Sequence, residues 1–311
     1  MGIVFLLVAI LCTSLFAVIF KICQQKGVEV MPVILFNYIT AAVISIVSVA
    51  VNITITSAPV ESCLLPPVSI VLALVQGAVF VAGFSMMNWA TLRSGVALTT
   101  VSARASLVVP VILSWLILNQ PQPAWIPTAL IIIAMTLIVM PVGDNGKQQN
   151  AHSQGAMTKA SAAIALAGVF IIYGVSDFSF KLIQDSIEKA FANNDLEIHL
   201  SSLTCMMFLM SSLLALVICL MKGSLRRNRI SWKSVGWGFL LGLVNLGCAS
   251  SVLRALGEMS TGVFYPVYNA GIVMMATLIG VLFFKERIKP WQYVGLLLAV
   301  VAIVLFTYSS I

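Results

Sequence analysis

Long apolar blocks, each close to the length of one membrane crossing, alternate with short polar connections along the whole chain. Ten such blocks lie at about 2–22, 32–51, 69–90, 95–117, 125–141, 160–181, 202–221, 233–253, 262–283 and 291–309. A helix rises about 1.5 Å per residue, so about 20 apolar residues cross the hydrocarbon layer of a bilayer. Helices are required, because an unpaired backbone group in hydrocarbon costs several kcal/mol. A membrane barrel would instead show short segments of alternating polarity. The pattern predicts an all-α integral membrane protein with ten transmembrane helices.

Composition supports this reading. Hydrophobic residues make up 60% of the chain and charged residues only 9%, against roughly a quarter charged in soluble domains. The longest polar connections, near 52–68, 142–159 and 182–201, are too short to bury a core of their own. The first block lacks a basic leader and is read as the first span, not a removed signal. Cys12, Cys23, Cys63, Cys205, Cys219 and Cys248 show no C-x-x-C spacing and lie mostly within apolar blocks. They read as thiols packed like small hydrophobes. His152 and His199 stand isolated in connections, so no metal site and no cofactor is expected. No P-loop occurs, and no nucleophile, base and orienting group converge, so an enzyme is not expected. The glycines, Gly238 and Gly242 above all, read as points of close helix approach.

The chain also repeats itself. Phe20-Lys21-x-x-Gln24 ends the first block, and Phe180-Lys181-x-x-Gln184 ends the sixth, 160 positions later. Asn119–Met140 aligns with Lys285–Phe306 at an offset of 166, which sets Trp125 on Trp291. Gly77 and Gly83 match Gly242 and Gly247 loosely. Two repeats follow, 1–145 and 155–311, of five spans each. An odd number of spans turns the second copy upside down, giving two inverted five-helix repeats, a ground plan common among secondary transporters.

With these features the chain resembles the drug/metabolite transporter superfamily in its ten-helix form of two EamA-like domains. The resemblance is strongest over Ile279–Phe306, where a short turn bearing Glu286 precedes an aromatic residue and Gly295. The first half carries a weakened copy with Gln120 in place of that acidic residue. The resemblance implies a central cavity lined chiefly by helices one, three, four, six, eight and nine. It leaves the substrate open, since the superfamily handles amino acids, sugars, cations and sugar nucleotides. Small multidrug members use an acidic residue in their first helix; this first helix has none.

Ionisable residues inside spans are the natural site candidates, because a charge at mid-membrane costs at least about 2.5 kcal/mol. Arg104, with Thr100 one turn before it, lies near the middle of the expected fourth helix. It is either a structural clamp or a receiver of an anionic substrate group through its planar fork of donors. Pro110 is expected to loosen the same helix and free carbonyls. Asp177 shares a stripe with Tyr173 and Lys181. Either it pairs with a Lys181 that snorkels to the headgroups, or it carries a proton or accepts a substrate amine. Tyr265 and Asn269 share a face in the ninth helix, with Tyr268 beside them and Pro266 between. That face either lines a cavity or packs at a helix seam. Gln76 and Asn245 lie deep in helices three and eight, whereas Asn88 and Trp89 occupy an interfacial depth.

These residues point to a secondary transporter that moves a small polar or zwitterionic metabolite across a bacterial inner membrane by alternating access. Coupling to protons or to a countersubstrate stays open, as does a monomer or a weak dimer. The competing reading is a noncatalytic membrane partner or a lipid-linked flippase component. Asn52-Ile53-Thr54 fits a glycosylation sequon, which matters only in a eukaryotic lumen. The basic strip from Lys222 to Lys233 suits anionic lipid headgroups, not nucleic acid.

The resemblance and the charge distribution disagree on orientation. The resemblance implies both termini inside. Yet with the N-terminus inside, the cytoplasmic connections hold only Lys181, Lys189 and Arg254, and nearly all other cations lie outside. The positive-inside bias therefore places both termini outside the cytoplasm. A cysteine placed in the 222–233 connection is expected to react with an impermeant thiol reagent from the cytoplasmic side alone. Labelling from the opposite side would reverse the assignment.

Overall fold

The computed structural model describes residues 1–57, 65–139, 159–190, 196–221, 231–284 and 289–309. The polar run 143–154, most of the basic strip and the turn bearing Glu286 lie outside the described residues. The described residues form ten α-helices: α1 Gly2–Gln25, α2 Val30–Thr56, α3 Pro67–Ala105, α4 Val108–Ile117, α5 Trp125–Val139, α6 Lys159–Ala190, α7 Leu196–Met221, α8 Trp232–Glu258, α9 Thr261–Phe284 and α10 Pro290–Ser309. Seven stretches among them are long and apolar enough to cross a membrane, and three shorter apolar ones accompany them. The protein is an all-α, multi-span membrane protein.

Local chemistry sets the helix ends. At the end of α1, Gly27 takes a left-handed φ of 62°. The Val28 N–H then reaches back 3.0 Å to the Cys23 carbonyl, and both side chains join one buried cluster. Glycine tolerates that backbone at no steric cost, and the wrapped-back bond satisfies a carbonyl that the helix leaves over. Ser231 caps α8, its hydroxyl accepting from the Ser234 N–H at 3.2 Å. α10 opens with Pro290, and Gln292 reaches back to the Lys289 N–H at 2.9 Å.

Several boundaries depart from the sequence reading. α6 runs on to Ala190, so Phe180-Lys181-x-x-Gln184 lies inside that helix and does not end it. The third and fourth spans were expected to separate near residues 91–94, but α3 continues through that segment to Ala105. Ser94 and Gly95 are weak interruptions, since a lone glycine costs only about 1 kcal/mol in a helix. The break falls instead at Ser106–Leu107, because Pro110 lacks the N–H that would bond the Ser106 carbonyl. The backbone tightens there: Leu107 N–H bonds Arg104 at 3.3 Å and Val109 N–H bonds Ser106 at 2.9 Å. α7 also begins earlier than expected. His199 therefore sits buried inside a helix and not in a connection.

The chain forms two compact units, each drawn from both sequence halves. The first comprises Met1–Val81 and Phe178–Phe264; the second comprises Ala82–Asp177 and Tyr265–Ile311. In the first unit α2 packs on α7 and α8, and α1 packs on α8. Small residues mark the closest helix approaches, and large aliphatic ones also face outward. Ala9, Ala41 and Ala73 are fully buried, whereas Leu7, Val43 and Val71 are exposed. Lipid tails are as apolar as leucine, so small residues go where backbones meet and large ones can also face outward. A Cβ added at Gly242 would lie 2.7 Å from the Asn37 carbonyl oxygen, and one at Gly238 would lie 2.5 Å from the Phe36 Cβ. The Gly238–Gly242 pair thus sets the approach of α8 to α2. On α3, Gly77 meets α7 similarly, with the Met210 Cβ 2.8 Å from an added Cβ.

In the second unit α5 packs on α10. A Cβ added at Gly295 of α10 would lie 2.8 Å from the Ala134 carbonyl oxygen on α5. Gln292 Nε2 donates to the Ile138 carbonyl at 2.7 Å, and Trp115 meets Trp125 edge-on at 6.0 Å.

Gly236 is the internal control for the packing argument, because nothing lies within 4 Å of a Cβ added there. Gly242→Val is expected to lower stability in detergent by about 1–3 kcal/mol. Gly236→Ala is expected to leave it unchanged or raise it by up to about 1 kcal/mol. Thermal unfolding of the purified variants checks the pair, and equal melting temperatures would contradict it.

Candidate functional site

Seven of the nine expected site residues fall in the second unit, on three helices. α3 supplies Thr100 and Arg104, α6 supplies Tyr173 and Asp177, and α9 supplies Tyr265, Tyr268 and Asn269. Tyr265, Tyr268 and Asn269 are buried, while Thr100, Arg104, Tyr173 and Asp177 are half-buried.

Hydrogen bonds run through this cluster as a chain. Arg104 Nη1 donates to Asn269 Oδ1 at 3.2 Å. Asn269 Nδ2 donates to the Tyr265 carbonyl one turn back at 3.0 Å. The Tyr265 hydroxyl then donates to the backbone carbonyl of Asp177. One tyrosine and one asparagine thereby tie α9 to α3 on one side and to α6 on the other. Arg104 lies within electrostatic reach of both Tyr173 and Asp177, and Asp177 within reach of Tyr265. Among the described residues, no direct ion pair joins Arg104 to Asp177.

Three features hold the charges in place. Arg104 stands in the last turn of α3, where a cation complements the negative end of the helix dipole. The helix break just beyond it takes up carbonyls instead of freeing them, contrary to the sequence expectation. Ser106 Oγ bonds the Ala103 carbonyl at 2.6 Å, and the Leu107 N–H takes that of Arg104. Gly174 lies one turn before Asp177, and a Cβ there would come within 2.6 Å of the Val109 side chain. The missing side chain lets α6 lie close against α4, which fixes the depth of Asp177 (a larger residue would push it away).

The arrangement has a clear chemical character. A guanidinium with one protein acceptor and a carboxylate with no side-chain donor among the described residues stand near each other without neutralising contact. Both are half-buried, with Tyr173 within electrostatic reach of each and Tyr265 within reach of Asp177. Such a pair can receive a solute carrying both a negative and a positive group.

The two remaining expected residues belong to the first unit. Gln76 is buried on α3, and Asn245 Nδ2 donates to Asn37 Oδ1 at 3.2 Å, joining α8 to α2. Asn37, which the sequence reading missed, was legible as a lone amide in an otherwise apolar stretch. Trp89 stacks under Arg93 at 4.1 Å, and the side chain of Asn88 lies outside the described ones.

Lys181 is the larger omission. It does not snorkel to the membrane surface. It is buried, donating to Gln184 Oε1 at 2.8 Å and to the Leu256 carbonyl at 3.2 Å. Gln184 in turn donates to Glu188 at 2.7 Å. Leu256 lies in the last turn of α8, whose carbonyls have no partner within the helix. The second Phe-Lys-x-x-Gln motif is therefore a helix-end clamp, and its spacing is that of the Lys181–Gln184 bond. The corresponding side chains of the first copy, Phe20, Lys21 and Gln24, lie outside the described ones.

Comparison with known proteins sharpens the picture. Residues 192–308 match the EamA-like transporter family. An uncharacterized protein of Haemophilus influenzae (strain ATCC 51907 / DSM 11121 / KW20 / Rd) is 25% identical over 312 residues, covering 97% of each chain. A protein of known crystal structure superimposes with a TM-score of 0.71, covering 98% of each chain at 11% identity, a likeness of fold alone. These matches support a membrane fold of the EamA-like kind. The matched family is described as one of transporters. Among the described residues, no group of three or more His, Cys, Asp or Glu is placed to hold a metal ion.

Replacing Lys181 with Met strands the Leu256 carbonyl and the Gln184 amide oxygen. The expected cost is about 1–3 kcal/mol of stability, read as a lower melting temperature in detergent. An unchanged melting temperature would show that the clamp carries no net stability.

Proposed function

We propose that this protein is a secondary transporter of a small zwitterionic metabolite, built as two inverted five-helix repeats and working by alternating access. The observation that carries the reading is the Arg104–Asn269–Tyr265–Asp177 chain in the second unit. It places opposite charges in partial burial within one compact unit assembled from both sequence halves. A charge in a membrane span is costly and marks a substrate or ion pathway. Here two such charges lack the direct pairing that would make them mutually structural. Arg104 would take the anionic group of the solute and Asp177 its ammonium, with Tyr173 and Tyr268 beside them.

The repeat reading gains support from which helices meet. α2 packs on α7 and α5 on α10, and each is a pair of equivalent helices in two five-span repeats. Gly77 admits α7 against α3, and Gly242, its counterpart, admits α2 against α8. Arg104 bonds Asn269, whose counterpart at an offset of 166 is Ala103. Contacts between equivalent positions are what a local twofold axis produces. Exchanging the conformations of two such repeats exposes a central site to one side and then the other. Whether protons or a countersubstrate drive the cycle is a separate question, and Asp177 is the group that would carry a proton.

The test is transport by the purified protein in liposomes. Candidate solutes are first screened for raising the melting temperature, and uptake of the best is then compared in Arg104→Ala and Asp177→Asn. Both variants are expected to fold and to lose at least about tenfold in transport, the equivalent of about 1.4 kcal/mol. Full transport by both would remove these residues from the site. A wild-type protein that moves no solute alone would favour the role of a noncatalytic membrane partner.

A further inference from the structure

We infer that Asn269 is the residue that makes this site select a zwitterion over a simple cation; the inference rests on the reading of the site given above. A carbonyl oxygen only accepts, so the part of the Asn269 amide facing the Tyr265 carbonyl, 3.0 Å away, is its NH₂ group. That bond turns Oδ1 toward Arg104, which it meets at 3.2 Å. The side chain is 2% exposed and cannot turn away into water.

The chemical identity of this acceptor decides the charge of the site. An amide oxygen orients the guanidinium and leaves its full positive charge in place. Arg104 and Asp177 then sum to zero, and a zwitterion enters without changing the balance. A carboxylate at position 269 would occupy the same volume with a different result. It would neutralise Arg104 and leave Asp177 as the uncompensated charge, so the site would favour a monocation. It would also set an anion against the Tyr265 carbonyl, which the amide now satisfies. Asn269 is thus a positioning residue for Arg104 and a determinant of specificity.

The test uses the full chain in liposomes. The twenty protein amino acids are screened on the wild type, and the best is paired with the amine that remains when its carboxyl group is removed. Wild type is expected to prefer the amino acid, and Asn269→Asp to reverse that preference, with the ratio of transport efficiencies moving by at least about tenfold. Asn269→Ala is expected to raise KM for the amino acid without any gain for the amine. Asn269→Ala also serves if Asn269→Asp fails to fold, because a merely structural asparagine would lower both solutes alike. A preference unchanged in the aspartate variant, or equal losses for both solutes in the alanine variant, overturns the inference and leaves the transporter reading standing. A wild-type protein that carries neither of these but does carry another solute from the melting-temperature screen overturns the inference alone. One that carries no solute overturns both.

Discussion

Hydrocarbon offers a polar group no water to fall back on, and the architecture of this chain follows from that single fact. The backbone answers it by being helical along nearly all of its spans, and the turn at Ser106–Leu107 closes its own hydrogen bonds. Polar side chains answer it by bonding to the turn behind them. Ser14 bonds the Ile10 carbonyl, Ser45 that of Ala41, Thr204 that of Leu200 and Ser211 that of Met207, all at 2.7–2.9 Å. Others bridge helices: Asn52 donates to Ser201 at 2.9 Å, Ser69 meets Ser186 at 2.8 Å, and Ser102 bonds the Leu166 carbonyl at 2.8 Å. Against this background of local closure, Arg104 and Asp177 stand out because their charges exceed what the surrounding protein groups take up. That contrast, more than the rarity of charge in the sequence, is what the proposed site rests on.

The same solvent removes the usual reason for large side chains to be inside. Helix contact in lipid depends on how near two backbones come, so alanine and glycine sit at the closest approaches. Bulky aliphatic residues both fill the remaining interior and face the lipid. Shape then does the work of specificity. Phe208 is fully buried and meets both Tyr38 at 6.5 Å and Phe80 at 5.9 Å. It shares the first unit with other fully buried large groups such as Phe264, Leu203 and Met207.

Much of this was legible in the sequence, and the remainder was hidden for definite reasons. Apolar block length is a one-dimensional signal, so the helices and their approximate bounds could be read directly. The break near Arg104 was misplaced because a short polar stretch looks like a connection, whereas the backbone responds to the missing N–H of Pro110. The grouping of Arg104, Asp177 and Asn269 was only partly readable. Each residue announced itself by its chemistry, but a span that is apolar all round does not reveal which face meets which neighbour. Lys181 was misread for a related reason. Its partner is the backbone carbonyl of Leu256, and a carbonyl leaves no mark in a sequence.

The Lys181 clamp also limits how the first unit can deform. An ammonium held by the last turn of α8 and by Gln184, with Gly257 tight against that glutamine, acts as a pawl between two rods. Sliding α6 past α8 by one turn, about 5.4 Å, would drag a bare cation onto alkane. Tilting both rods together would cost nothing comparable. The end of α8 and the adjoining stretch of α6 can therefore pivot as one lever but cannot shear.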